Sequence, residues 1–168
     1  YPKGVTELPI DLGRLICQRS NCWWDAALRK RYAVYLLGTI SLVATVLIGI
    51  NLYIGSSLEN VLMIVLAPLM PIALLGLRQY REHQEAVVAL ERLKSFFDEL
   101  WSRLLKKEIA IEELRRGARQ LQDEIYERRA GNPLIPDWIY GLLRKKQDEQ
   151  MNKAADLLLQ EAKNASIL

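Results

Sequence analysis

Five polar side chains recur at spacings of four, three, four and three residues in the C-terminal part of the sequence, and their types suit a phosphorylated ligand. They are Arg115, Arg119, Gln122, Tyr126 and Arg129. In an α-helix this spacing places them along one stripe. A guanidinium pairs with phosphate oxygens, a glutamine amide can hydrogen-bond a base edge, and a tyrosine ring can stack on a base. The stripe is therefore a candidate nucleotide site.

The same stripe fits a simpler interpretation, a solvated helix face held by ion pairs between neighbouring turns. Arg119 with Asp123, and Glu124 with Arg128, have opposite charges and stand one helical turn apart. Such exposed pairs are common and contribute little stability. Spacing alone favours this alternative. A second set of candidate residues stays open near the start of the chain: Arg14, Gln18 and Arg19.

The other reactive residue types do not form a recognisable active site. His83 is the single histidine and has no nucleophile beside it in the sequence, so we expect a surface side chain. Cys17 and Cys22 lack the spacing of a zinc or redox motif and are expected to be reduced thiols in a cytosolic helix. Phosphate-binding glycine loops and nucleophile elbows are absent from the sequence. We therefore expect no enzyme, no metal site and no cofactor.

Charge divides the sequence into unlike parts. The formal net charge is only +3, which is not the strongly basic balance of a protein that binds DNA or RNA polymers. Between Arg31 and Arg78 the only charged residue is Glu59, whereas the flanking segments are densely charged. The apolar block predicts an integral membrane protein.

Two segments of this block are long enough to cross a bilayer. The first, 32–54, would form a helix of about 34 Å, and the second, 60–77, one of about 27 Å, against a hydrocarbon core of roughly 30 Å. The short connection 55–59 requires the two spans to be antiparallel neighbours. Pro68 and Pro71 are expected to kink the second span because proline lacks a backbone donor.

Basic residues lie outside the two spans and are missing between them. Arg29, Lys30 and Arg31 precede the first span, and Arg78 and Arg81 follow the second. The positive-inside rule then places both ends of the chain in the cytosol. The alternative is a buried helical hairpin in a soluble protein, which seldom runs this far without a charge.

The segment after the spans has the apolar periodicity of a long helix. Its seam consists of Ala86, Leu90, Leu93, Phe97, Leu100, Leu104, Ile111, Leu114, Ala118, Leu121 and Ile125. Lys107 is the only charged interruption, and Gly117 is a candidate break. A seam of this length predicts coiled-coil packing against a second copy or another segment, or a bundle. We expect a homo-oligomer that covers it, and the alternative is that the C-terminal helix covers it within one subunit.

A second amphipathic helix is expected to fold back onto the long one. Breaker residues occupy 130–133, and the pattern resumes after Pro136 with Asp137 as the expected N-cap. Its apolar positions are Ile139, Leu142, Leu143, Met151, Ala154, Ala155, Leu158 and Ala162. The predicted fold is an all-α membrane protein with three parts: a cytosolic juxtamembrane segment 1–31, a transmembrane hairpin 32–77 and a cytosolic helical domain 78–168.

Several stretches resemble the SMODS-associating four-transmembrane effector family of bacterial antiphage defence. The most specific are Cys17-Gln18-Arg19-Ser20-Asn21 and Gln122-Asp123-Glu124-Ile125-Tyr126. Trp23-Trp24-Asp25, Arg129 and the stretch from Pro133 to Tyr140 add to the likeness, which covers nearly the whole chain. Members of that family have four spans, so the resemblance implies that two further spans precede Tyr1.

The resemblance implies a function that periodicity does not. Such effectors accompany nucleotidyltransferases that make cyclic oligonucleotides on infection, and they open or disrupt the bacterial inner membrane. We therefore expect a cyclic oligonucleotide as the activating ligand and the lipid bilayer as the target, with Pro68 and Pro71 as gating positions. The alternative is a membrane-anchored scaffold or sensor whose tail recruits a protein partner and conducts nothing.

Overall fold

A computed structural model describes the backbone of residues 9–165 and the side chains of that range except those of 111 and 142–151. This part of the chain is helical and contains no strand. The helices are α1 (Ile10–Tyr53), α2 (Leu58–Val61), a π-helical segment (Leu62–Leu66), α3 (Ala67–Leu105), α4 (Ile111–Gly131) and α5 (Asp137–Asn164). The predicted all-α membrane fold is confirmed.

Two helices are long and apolar enough to cross a membrane: α1, and the continuous run from α2 through α3. They pack along each other, and a tight turn joins them. Gly55 has a φ of 78°, which glycine adopts without strain, and Ser57 Oγ accepts the Asn60 N–H at 3.3 Å. Only 6% and 17% of the most apolar stretch of each helix is buried. This high exposure suits apolar side chains that face lipid. In a soluble protein, the same hairpin would be mostly buried in the core.

The two prolines of the second span follow a π-helical turn. The Ala67 N–H donates to the Leu62 carbonyl, one residue further back than in an α-helix. Pro68 stands in the first turn of α3, and Pro71 lies inside the helix. Because each proline removes a backbone donor, a wider turn just before them is a common way to keep the helix continuous. Such π turns are also an identified cause of helix bending.

The predicted single long helix after the spans is wrong, because the chain reverses direction between Leu105 and Ile111. Lys107, the charged interruption of the seam, has a left-handed φ of 58°. The reversal lays α4 against α3, so the two halves of the seam cover each other within one chain. Gly117 does not break α4; a Cβ there would meet Leu100 Cδ1 at 2.7 Å. The seam residues buried by this packing include Leu90, Phe97, Leu100, Leu114, Leu121 and Ile125.

Outside the spans, the first half of α1, the second half of α3, α4 and α5 form a four-helix bundle. Its membrane-proximal end is marked by Trp24, whose ring lies 4.7 Å from that of Tyr140, early in α5. Its distal end is marked by Trp101, whose Nε1 donates to Glu161 Oε2 at 2.9 Å. Neighbouring helices therefore run in opposite directions, each spanning the bundle once.

The fifth helix confirms the predicted fold-back with one difference at its start. Pro136 occupies the N-cap position and Asp137 is the first helical residue. Ile139, Ala155, Leu158 and Ala162 are buried, as the amphipathic pattern predicts. The side chains of Leu142, Leu143 and Met151, and that of Ile111 in the seam, lie outside the described part of the structure.

Candidate functional site

A cavity of about 540 Å³ lies between α1 and α4 at the distal end of the bundle. Each helix presents one face to it, because the lining positions recur at three or four residues on both. The lining residues are Ile10, Asp11, Arg14, Gln18, Arg115, Ala118, Arg119 and Gln122. The structure therefore joins three residues of the predicted stripe with two residues of the second candidate set.

A buried glutamine connects the two walls of the cavity. Gln18 is 6% exposed, and its Nε2 donates to the Ala118 carbonyl at 3.2 Å and to Gln122 Oε1 at 2.7 Å. Its Oε1 is buried without a hydrogen-bond partner within residues 9–165. A buried acceptor without a partner carries an energetic cost, which a donor entering the cavity would relieve.

The cavity has an excess of positive charge. Arg115 donates to Asp11 Oδ2 from Nε at 3.2 Å and from Nη2 at 3.1 Å, and this pair bridges the two helices. Arg14 and Arg119 are exposed and make no ion pair within the described part of the chain. Three guanidinium groups against one carboxylate favour an anionic ligand, and the volume is in the usual range for small-molecule sites.

The ion pairs of the simpler interpretation do not form. No salt bridge joins Arg119 to Asp123, or Glu124 to Arg128, all of which lie in the described part. Glu124 instead accepts a hydrogen bond from Gln120 at 3.4 Å. The stripe is therefore not a face held together by i,i+4 pairs, and Arg119 keeps its donors available for another partner.

The other predicted residues lie elsewhere. Tyr126 is 74% exposed and is not among the described residues that line the cavity, and neither is Arg129. Arg129 lies near Cys22 and Tyr140, whose pKa values burial raises against the opposing effect of the Arg129 charge, and this places Arg129 towards the membrane-proximal end. Arg19 pairs with Asp98 at 2.9 Å and lies over the Phe97 ring.

A second polar cluster, at the membrane-proximal end, was not foreseen from the sequence. Arg29 Nε lies 3.0 Å from Asp25 Oδ1, and both residues are buried. Arg29 Nη1 donates to the Pro133 carbonyl at 2.9 Å and lies 3.3 Å from His83 Nδ1. One guanidinium thus ties α1, α3 and the α4–α5 loop together. We call these four residues the junction cluster.

The expectation of a surface histidine is wrong, because His83 is fully buried. Its ring meets Tyr32 edge-on, with centroids 4.7 Å apart. Because arginine only donates, Nδ1 must accept and the proton stays on Nε2. Burial and the neighbouring Arg29 charge lower the pKa of His83 to about 4. The i,i+4 spacing of Asp25 and Arg29 was visible in the sequence, but their partners are far away along the chain.

Both cysteines are free thiols, and the side chains that the structure describes form no cluster of three or more metal-ligating groups. Cys22 is buried, and burial followed by the charge of Asp25 raises its pKa to about 11. The raised pKa keeps this thiol protonated and poorly nucleophilic at neutral pH.

Two membrane-length helices joined to a four-helix bundle with an arginine-lined cavity define a helical membrane protein with an extramembrane ligand-sized site. Residues 1–158 match the family model of the SMODS-associating 4TM effector domain, and the chain belongs to that family. The resemblance seen in the sequence is thereby confirmed.

A relative from Bacillus cereus strain VD146, described as a probable CBASS effector molecule, is 27% identical over 149 residues. The aligned region is 88% of this chain and 49% of the relative, so the chain spans about half the length of that protein. No solved structure matches the chain.

Proposed function

We propose that this chain is the sensing and membrane-embedded part of an antiphage effector, which permeabilises the bacterial inner membrane when a cyclic oligonucleotide binds the cavity between α1 and α4. The observation that carries the proposal is the set of three guanidinium groups around one cavity, two of them without an ion-pair partner in the described chain. Membership of an effector family supplies the class of signal, a cyclic oligonucleotide made by a partner nucleotidyltransferase.

The cavity residues divide the work of recognition by their chemistry. Arg14 and Arg119 approach from opposite helices, so they are suited to contact separate phosphates of one ligand. Arg115 becomes available to a phosphate when it exchanges Asp11 for it. The unpartnered Gln18 Oε1 is suited to accept from a base amino group. Each charge-assisted contact is worth about 1.5–3 kcal/mol.

The fold offers a direct route from this cavity to the bilayer. The helix that carries Arg14 and Gln18 continues without interruption to Tyr53 at the far side of the first span. A ligand that draws α1 and α4 together would therefore shift a helix that also crosses the membrane. Activation requires two conformations of different ligand affinity, and the π turn before Pro68 and Pro71 is the proposed place where the second span bends between them.

A pore needs more than two short spans, so the proposal includes a homo-oligomer. The apolar seam of the cytosolic helices does not require an oligomer, because α3 and α4 of one chain cover it. The argument comes instead from the exposed apolar faces of the spans, which face either lipid or other copies. Both ends of the chain lie in the cytosol in this proposal, since the cyclic oligonucleotide is made there.

The test is membrane leakage in cells that express the full-length protein together with its activating nucleotidyltransferase. We expect wild type to admit an impermeant dye, and Arg119→Ala to remain tight at equal expression and membrane insertion. Arg116→Ala is the matched control, because Arg116 is exposed on the same helix but is not among the residues that line the cavity. Its leakage should equal that of wild type.

Two results would contradict this assignment. Equal leakage of Arg119→Ala and wild type would remove the cavity as the sensor. A tight membrane in wild type, with the nucleotide present and the protein inserted, would favour a scaffold that recruits a partner without conducting.

A further inference from the structure

The loop between α4 and α5 lies at the end of the bundle that adjoins the first uncharged span. Arg29, which donates to the Pro133 carbonyl at 2.9 Å, stands three residues before Tyr32, the start of the first uncharged span. Three residues of helix correspond to about 4.5 Å. The headgroup layer adds roughly 5–7.5 Å on each side of the hydrocarbon core. The Arg29 backbone is therefore within the thickness of that layer, and the loop that its side chain contacts at Pro133 lies beside it.

Two large apolar side chains project from this loop and from the first turn of α5. Leu134 is 90% exposed and Trp138 is 71% exposed. Neither side chain joins the bundle core, although Ile139, beside Trp138, is buried. Exposure of these two large apolar side chains to water would not stabilise the bundle. Both lie at the membrane-proximal end of the bundle, whereas Ile10 at 68% and Leu157 at 61% are exposed apolar side chains at its distal end.

The surroundings suit a lipid surface better than water. Arg128 and Arg129 fill the last turn of α4, directly before the loop, and Arg31 stands at the same level on α1. Tryptophan favours the boundary between headgroups and acyl chains, and basic side chains pair with lipid phosphates. Tyr35, one turn into the first span and 56% exposed, belongs to the same aromatic belt.

We propose that Leu134 and Trp138 insert into the membrane interface and form a second membrane attachment, separate from the two spans. The phospholipid headgroup layer is the partner of this surface, because the loop lies at the end of the bundle where the two spans enter the bilayer. Through Arg29 and Pro133, this attachment fixes the membrane-proximal end of α4, while the cavity lies at the distal end of the same helix. The inference depends on the fold and not on the identity of the ligand.

The test measures the depth of a nitroxide probe in the full-length protein reconstituted in liposomes of phosphatidylethanolamine and phosphatidylglycerol. Single cysteines replace Leu134 or Trp138 after all native cysteines are changed to alanine. The matched control is Leu157→Cys, because Leu157 is also an exposed apolar residue of α5, at 61%, but lies about 28 Å further along the helix. Collisions with oxygen, which concentrates in lipid, are compared with collisions with a water-soluble nickel chelate.

We expect the ratio of oxygen to nickel collisions at positions 134 and 138 to be several-fold higher than at position 157. Equal ratios at all three positions would show that the loop is in water and would overturn the proposal. A probe that is immobile and reached by neither reagent would show that a protein surface or a second copy covers the loop, and this also would overturn it. Two probe positions keep the test valid if one variant fails to insert.

Discussion

Replacing Arg29 with methionine should destabilise the protein far more than replacing its neighbour Lys30. The Arg29 and Asp25 side chains are only 8% and 11% exposed, so removing the guanidinium leaves a buried carboxylate without a countercharge. Breaking a buried pair in this way costs about 3–5 kcal/mol. His83 and the Pro133 carbonyl lose their donor in the same substitution.

Lys30→Met is the matched control. Lys30 lies next to Arg29 on α1 and pairs with Glu91 on α3, the helix that also carries His83. The Lys30 and Glu91 side chains are 53% and 52% exposed. An exposed pair of this kind contributes about 0–1 kcal/mol. Methionine has a helix propensity close to that of arginine and lysine and removes the charge in both variants, so the comparison contrasts a buried charge with an exposed one.

The assay is thermal unfolding of the purified protein in detergent, followed by helical circular dichroism. For a chain of this size, 1 kcal/mol shifts Tm by about 2–4 °C, so Arg29→Met should lower it by roughly 6–20 °C and Lys30→Met by less than about 4 °C. Adding Asp25→Leu to Arg29→Met removes the orphaned charge and should recover much of the loss. Equal losses for the two single variants, or no recovery in the double variant, would refute the role assigned to the junction cluster.

Three further predictions follow from individual residues. The pKa of His83 is lowered from 6.5 to about 4, so between these pH values the unfolded chain binds a proton that the folded chain does not. The free energy of unfolding is therefore highest above pH 6.5 and decreases as the pH falls to 4, by an amount of the order of 3 kcal/mol. Unfolding curves of wild type and His83→Gln across this range should diverge, and parallel curves would contradict the burial. Gly117→Val should cost about 1–3 kcal/mol through its clash with Leu100, whereas Gly141→Ala, with open space around it, should stabilise α5 by up to about 1 kcal/mol in the same assay. Ser56→Cys should react with an impermeant maleimide in intact cells, whereas Lys106→Cys should react only after the cells are permeabilised. Reaction of Lys106→Cys in intact cells would overturn the cytosolic assignment.

The fold was largely predictable because local patterns determine most of it. Uncharged runs, breaker residues and heptad spacing are read directly from neighbouring residues, and they identified the spans, the α4–α5 loop and the fold-back of α5. The reversal at Lys107 was missed because a seam of constant spacing is compatible with one long helix or with two helices packed face to face. A charge on the seam and a left-handed residue were the only local signs, and the second is a property of the backbone rather than of residue type.

The candidate site was predictable only in part, since it joins segments distant in the chain. Arg115, Arg119 and Gln122 were recognisable from their spacing on one helix. Their partners Arg14 and Gln18 could be proposed only as a separate alternative, because nothing in the sequence shows that α1 and α4 face each other. The same limit explains the junction cluster, in which Arg29 meets partners on α3 and in the α4–α5 loop. The gating role of Pro68 and Pro71 stays a prediction.

The central claim, that the cavity between α1 and α4 holds the activating signal, is tested most directly by equilibrium titration of the purified protein with a panel of cyclic di- and trinucleotides. Arg14→Ala with Arg119→Ala removes two charge-assisted contacts, or about 3–6 kcal/mol, which corresponds to a loss of at least roughly hundredfold in affinity. Wild type and Arg116→Ala should bind the same nucleotide with equal affinity, and the double variant should lose it while keeping its helical content. Binding of that nucleotide by the double variant with unchanged affinity would contradict the account.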